Sequence, residues 1–171
     1  MTLDQAAPRA AGLDNDGAEA GFGVRWKDLT RQANAQFEVE DYAAAGKLYA
    51  LAYQEAAEIF SVSRNEHGNR AHEVVPMLAV SAANAANNAC RKNDADAAAG
   101  AFVQAVDIFV GTLESATAPK VLKAACARHL PRLLVQFKAK IDEMGTDETR
   151  FTQPFERAHY AGLAFGRNEG H

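Results

Sequence analysis

Two stretches of the chain share one pattern without a gap: residues 33–45 read ANAQFEVEDYAAA, and residues 86–98, 53 positions later, read ANNACRKNDADAA. Each begins with a small residue, continues through a polar turn that ends in Asp, and finishes in alanine. Aspartate is a strong N-cap because its carboxylate accepts hydrogen bonds from the free N–H groups of a first helical turn. Each stretch therefore predicts two helices joined by a tight turn. The constant spacing indicates an internal repeat of helical hairpins.

The pattern extends outward from both turns with a helical period. Tyr49 and Phe102 occupy equivalent positions, followed by Ala52 and Ala105. Small residues alternating with large ones allow the ridges of one helix to sit in the grooves of another. Residues 63–70 are polar and predict a loop, and Pro131 predicts a kink. The predicted helices cover residues 25–39, 42–61, 72–92, 95–113, 119–144 and 154–166.

Composition agrees with an all-α chain. The 171 residues are 48% hydrophobic but only 8% aromatic, and they are rich in alanine, which favours helices and is depleted from strands. This length favours one domain. A net charge of −4 gives no general reason to expect a nucleic-acid partner. The two cysteines make no disulfide framework.

The first 23 residues differ from the rest in composition. They are acidic, rich in Ala and Gly, and lack a long apolar stretch, so we expect a disordered tail and no signal peptide. No stretch approaches the roughly 18 consecutive apolar residues of a membrane-spanning helix. We therefore expect a cytoplasmic protein with no membrane partner, whose helical domain covers residues 24–167.

The hairpin pattern resembles the tetratricopeptide repeat, whose fingerprint places small and large residues at fixed positions of two antiparallel helices. The terminal proline of that fingerprint is missing here, which fits longer second helices. The resemblance implies antiparallel hairpins stacked as a short right-handed array of five to six helices. The units cover about 25–61 and 72–113, with a degenerate third unit or capping helices at about 119–166. The matching positions hold Leu29, Gln32, Ala33, Gln36, Ala45 and Tyr49 in the first unit, and Ala82, Ala85, Ala86, Ala89, Ala98 and Phe102 in the second.

The resemblance also implies a concave groove lined by the first helix of each unit. Some tetratricopeptide domains clamp a terminal carboxylate with Lys, Asn and Arg side chains. Asn34 and Asn84 occupy the two Asn positions, but Thr30 stands at the first Lys position, so we expect a polar groove without clamp chemistry. The implied groove residues are Lys27, Thr30, Asn34 and Phe37 in the first unit, and Asn84, Asn87 and Arg91 in the second.

Charge is unevenly distributed along the chain. Residues 119–140 contain six Lys or Arg and no acidic residue, whereas the first hairpin is acidic. If this basic helix lines the groove, Arg128 and Arg132 attract an acidic peptide. The alternative is that these cations lie on the outer face of a terminal helix.

No motif predicts catalysis. Cys126 with His129, and Glu156 with His159, are too few ligands for the usual metal sites. We therefore expect no enzyme activity, no cofactor and no metal. The sequence favours an adaptor or chaperone-like module whose partner is a protein or peptide. The alternative is a structural homo-oligomer that pairs through an apolar face such as Met77, Leu78 and Val80.

Overall fold

The computed structural model describes residues 21–168, and all regular structure in that range is helical. The all-α prediction of consecutive helical hairpins is confirmed. The predicted disordered tail lies, for residues 1–20, outside the described residues. The helices are α1 (Val24–Glu38), α2 (Tyr42–Asn65), α3 (Ala71–Arg91), α4 (Ala95–Glu114), α5 (Lys120–Glu143) and α6 (Thr152–Asn168), with a 3-10 turn at Glu148–Phe151.

The first two hairpins turn in the same way. Glu40 and Asn93 take the left-handed conformation, with φ of 61° and 55°. The next residues, Asp41 and Asp94, cap the following helix by accepting from the backbone N–H three positions on, at 2.9 and 3.0 Å. These paired caps confirm the repeat register, since equivalent residues 53 positions apart make equivalent bonds.

The alanines of the repeat lie where the helices come closest. A larger side chain at these points would force the helix axes apart. The equivalent large residues, Tyr49 and Phe102, are also buried. Three pairs of alanines that stand 53 positions apart have 2% exposure or less: Ala33 and Ala86, Ala45 and Ala98, and Ala52 and Ala105.

Each helix packs on the next, and the second half of the chain adds a further layer of contacts. α3 also packs on α5, and α4 packs on α6. The main core lies among these helices and includes the stacked ring pairs Phe102 with Phe137, at 5.4 Å, and Phe60 with Phe109, at 6.2 Å between centroids. By length and composition α4 could cross a membrane, yet half of its apolar window is buried inside the fold.

One predicted boundary differs clearly from the structure. α2 continues to Asn65 rather than ending near residue 61, because Phe60 and Ser63 face the core and the Ser63 hydroxyl donates to the Asn69 carbonyl. α5 is one helix that contains Pro131, as predicted, and the kink at that residue stays a prediction. The turn after α2 uses Gly68 at φ 77°, where a Cβ atom would lie 2.6 Å from Val121.

The third helix pair departs from the repeat. Ala33 and Ala86 each stand seven residues before the left-handed residue of their turn, but Lys138, seven before Gly145, is exposed. α6 begins only after the 3-10 turn and packs mainly on α4. Arg157 ties it there by ion pairs with Asp107 at 3.2 Å and Glu114 at 2.7 Å.

Candidate functional site

A small cavity lies between α3 and α5. Its volume is about 200 Å³. α3 contributes an apolar wall that ends in the amide of Asn84, and α5 contributes Arg132 and two further polar side chains. None of the described lining residues is acidic. The lining residues are Pro76, Ala79, Val80, Ala83 and Asn84 of α3, and His129, Arg132, Leu133 and Gln136 of α5.

The charge of this cavity comes from arginine. Arg132 lines the cavity, whereas Arg128, also predicted for the groove, does not. Both side chains are exposed, and neither forms an ion pair with a residue between positions 21 and 168. Burial and the two neighbouring guanidinium groups lower the pKa of His129, so its imidazole is neutral at pH 7. The cavity therefore offers amide donors and the guanidinium group of Arg132 beside an apolar wall, which suits an anionic side chain.

A second depression, of about 490 Å³, follows one face of α1. Three predicted groove residues, Lys27, Thr30 and Asn34, line it together. The Asn34 amide oxygen accepts from the Tyr49 hydroxyl at 2.7 Å, which fixes the side chain and directs its NH₂ group away from that bond. This residue thus supports α1 on α2 as well as lining the depression.

The remaining predicted residues of the first two units are distributed differently. Phe37 packs edge-on against Tyr42 at 5.3 Å, and the Arg91 guanidinium lies 6.0 Å from the centre of the Phe37 ring. Phe37 is therefore part of the α1–α2–α3 packing, and it lines neither of the two depressions described above. Asn87 is exposed on α3 and lines neither of the two depressions described above.

The six cations of the basic helix separate into three groups. Arg132 lines the α3–α5 cavity, and Arg128 is exposed one turn before it on the same helix. Lys138 pairs with Glu148 at 2.5 Å, and Lys140 pairs with Glu143 at 2.5 Å, so these two charges are locally neutralised. Lys120 and Lys123 line a separate depression beside Phe165 near the end of α6.

The cavity contains residues that the sequence reasoning missed. His129 and Gln136 had not been linked to the groove, although they stand at i, i+3 and i+7 with Arg132 and so share one face of α5. The spacing of these three residues could have grouped them on one helix face from the sequence alone. It could not show that α5 packs against α3, and this packing is what makes the face part of a cavity.

The structure argues against parts of three alternatives: the apolar pairing face, a metal site and a cysteine nucleophile. Of the expected apolar pairing face, Met77 and Leu78 are buried, so they cannot present a surface to a second copy, whereas Val80 is 45% exposed. They are buried because α3 is covered on several sides by its neighbours.

Within residues 21–168, no group of three or more His, Cys, Asp or Glu side chains is placed to hold a metal ion. Burial raises the pKa of Cys126 to about 12, which makes it a poor nucleophile.

Comparison with known protein families gives a match over most of the chain. The family model described as "Protein of unknown function (DUF2753)" matches residues 24–158. No curated protein and no solved structure matches the chain. The matched region begins at the first residue of α1 and extends into α6, so it includes both repeat hairpins and the α3–α5 cavity. The chain belongs to the DUF2753 family.

Proposed function

We propose that this protein is a tetratricopeptide-like interaction module that binds a peptide or helix of a protein partner along α1, α3 and α5. The observation that carries the proposal is the α3–α5 cavity, where Asn84 and Arg132 lie beside an apolar wall with no acidic residue in the described lining. An acidic side chain of the partner is the group that this chemistry favours. A cytoplasmic location and the lack of catalysis belong to the same proposal.

The geometry supports a peptide more than a small metabolite. A cavity of about 200 Å³ is smaller than the roughly 300–1,000 Å³ typical of small-molecule sites, but it is large enough for one side chain. The α1 depression lies on another of the proposed groove helices and adds Lys27 and Thr30 as polar contacts. A segment contacting both would be held at several points, each of modest strength.

The test is selection from a displayed peptide library against the purified full-length protein, followed by affinity measurement. We expect selected peptides to carry Asp or Glu. Combining Asn84→Ala with Arg132→Ala should weaken their binding at least about tenfold, since hydrogen bonds to a charged group are worth about 1.5–3 kcal/mol. Lys120→Ala with Lys123→Ala is the matched control, because it removes cations from the same helix away from the cavity. Peptides bound equally by both double variants would rule out the cavity as the anchor.

A structural homo-oligomer remains the second candidate, through a different face from the one first considered. Tyr160 and Leu163 stand at i and i+3 on α6 and are 67% and 46% exposed. A pair of large apolar side chains on one helix face is typical of protein contacts. Light scattering across a concentration series tests this candidate: we expect an increase in mass that Tyr160→Ser with Leu163→Ser abolishes, and a constant monomer mass would exclude it.

A further inference from the structure

The depression beside the end of α6 has a volume of about 450 Å³, and we call it the α4–α6 pocket. It shares no lining residue with the α3–α5 cavity. Its lining residues are Leu113 and Glu114 of α4, Ser115 and Ala116 of the connection to α5, Lys120 and Lys123 of α5, and Ala161, Ala164 and Phe165 of α6. Because its volume falls within the roughly 300–1,000 Å³ typical of small-molecule sites, the pocket can hold a small ligand.

One side of the α4–α6 pocket is apolar. Leu113 and Ala161 are buried, and the ring of Phe165 is half-buried against the main core. Ala161 and Ala164 stand at i and i+3 on α6, so two small side chains border the same opening. The space that larger residues would fill is therefore left for the apolar body of a ligand.

The other side of the pocket carries two lysines at the start of α5. Lys120 is exposed, and Lys123 is half-buried. Within residues 21–168, the ion pairs made by lysines of α5 are those of Lys138 and Lys140, and Lys120 and Lys123 have none. The two ammonium groups are therefore available to an anion.

The carboxylate in the pocket lining is already occupied. Glu114 accepts hydrogen bonds from Arg157, at 3.3 Å from Nε and 2.7 Å from Nη2. Hydrogen bonding to Arg157 lowers the pKa of the Glu114 carboxyl, which therefore stays ionised and paired with α6 at neutral pH. Since Arg157 compensates this negative charge, the two lysines keep theirs for a ligand.

The start of α5 favours an anion for a second reason. The partial positive charge of a helix N-terminus makes anions favourable there and cations unfavourable. α5 nevertheless begins with Lys120 and has no acidic residue in its first turn. Arg64 of α2 donates to the Ser115 hydroxyl at 3.0 Å, which brings a further positive charge to the rim of the pocket. This concentration of positive charge disfavours the folded chain, and a bound anion offsets it.

From these observations we propose that the α4–α6 pocket binds a small amphipathic anion. Its carboxylate or phosphate head lies between Lys120 and Lys123, and its apolar body lies against Phe165 and the two alanines of α6. The site is separate from the peptide cavity of the proposed function, and either site can exist without the other.

Titration of the full-length protein with octanoate and with octyl phosphate, followed by NMR, tests the site. The two probes share a straight alkyl body and differ in the head group, so their relative affinity identifies the preferred head. We expect at least one probe to bind with a dissociation constant on the order of 1 mM or below. It should shift the amide signals of Ala116, Lys123 and Ala164, while those of Asn84 and Gln136 stay in place. Acetate and inorganic phosphate should bind at least about tenfold more weakly, because they bury no apolar surface.

Charge variants separate the pocket from a general attraction to the basic helix. Lys120→Ala with Lys123→Ala should weaken binding of the preferred probe at least about tenfold, since each lysine supplies a charged hydrogen bond. Arg128→Ala with Arg132→Ala is the matched control, because it removes the same charge from the same helix outside the pocket, and it should leave the affinity nearly unchanged. Without a probe, the double lysine variant should unfold at a temperature equal to or above that of the wild-type chain. A variant that had lost its fold would not do so.

Aromatic variants test the apolar contact separately from the charge. Phe165→Ala should weaken binding of the preferred probe several-fold, because it removes the largest apolar side chain of the lining. Tyr160→Ala removes an exposed ring from the same helix outside the pocket and should leave the affinity unchanged.

Three results would overturn the inference. The first is that neither probe shifts the amide signals of the pocket. The second is that acetate or inorganic phosphate binds as tightly as the probes, which would identify an adventitious ion only. The third is that the Arg128/Arg132 variant loses as much affinity as the Lys120/Lys123 variant. None of these results bears on the peptide cavity, because the titration uses no peptide and the Lys120/Lys123 variant is the control that keeps peptide binding.

Discussion

The two repeat hairpins have the same turn but very different burial. In α1 the buried residue is Ala33, whereas the equivalent helix α3 buries residues along its whole length, from Ala71 to Ala89. Tyr49 belongs to a small satellite cluster, and its counterpart Phe102 lies in the main core. The difference teaches that the repeat sets local geometry, while the place of a hairpin in the stack sets how much stability its residues contribute.

The largest expected contrast is between the paired aromatic residues. Phe102→Ala should lower the free energy of unfolding by about 3–5 kcal/mol, because the ring is 1% exposed and stacks on Phe137. Tyr49→Ala should cost about half as much, since the satellite cluster can relax toward solvent. Urea denaturation of both variants measures the difference. Equal losses would show that the terminal hairpin is as tightly coupled as the central one.

Alkaline pH compares buried groups from different parts of the fold, beginning with the thiol of Cys126 on α5. The folded pKa of Cys126, about 12, is above its ordinary value of 9.0, so the unfolded chain loses this proton first. Stability should therefore be retained below pH 9 and fall as the pH rises from 9 toward 12, by up to about 1.4 kcal/mol per pH unit. Cys126→Ala should remove this part of the slope. A wild-type slope unchanged by the substitution would contradict the assignment.

Tyr53, on α2, adds a later contribution from the first hairpin. Burial raises its pKa from 10.0 to about 12, with the charge of Asp107 as a smaller cause. Its share of the stability loss should begin near pH 10, above the onset for Cys126. Comparing Tyr53→Phe with Cys126→Ala in chemical denaturation across this range separates the two onsets, and a common onset would argue against independent titration.

Two helical glycines, one in each hairpin, should change stability in opposite directions when they are replaced by alanine. A Cβ atom on Gly46 of α2 would lie 2.8 Å from the Asn88 amide nitrogen, which donates to the Tyr42 carbonyl at 3.0 Å. Gly46→Ala should therefore destabilise by about 1–2 kcal/mol through that bond. Gly100 of α4 has no neighbouring atom within 4 Å of such a Cβ. Gly100→Ala should stabilise by about 0.5–1 kcal/mol. Thermal unfolding gives both signs, and a stabilising Gly46→Ala would refute the close contact.

The smallest expected effect is the loss of a helix cap, and we expect it to be nearly the same in the two hairpins. Asp41→Ala and Asp94→Ala each remove one cap bond on an exposed turn, so each should cost about 1 kcal/mol. Asp41→Asn and Asp94→Asn, which keep a capping oxygen, serve as controls and should cost less. A large difference between the two Ala variants would mean that the turns are not equivalent in energy.

The sequence supported the fold well and the site in part. The caps at Asp41 and Asp94 and the alanine register were readable because helix periodicity and capping are local. Asn84 and Arg132 were both named as groove residues, but nothing in the sequence placed them in one cavity with His129. Met77 and Leu78 were expected on a surface, and they are buried because α2, α4 and α5 all pack on α3.

The sequence by itself determined the repeated turn, the helix order and the small residues at the helix crossings, since each depends on residues a few positions apart. The tertiary structure decided which cations remained unpaired within residues 21–168. Lys138 and Lys140 find carboxylates in the residues that follow them, whereas Arg132 faces α3, whose cavity wall carries no acid. The physical reason is that charge pairing depends on distances of a few ångströms across helices, and helix packing sets those distances.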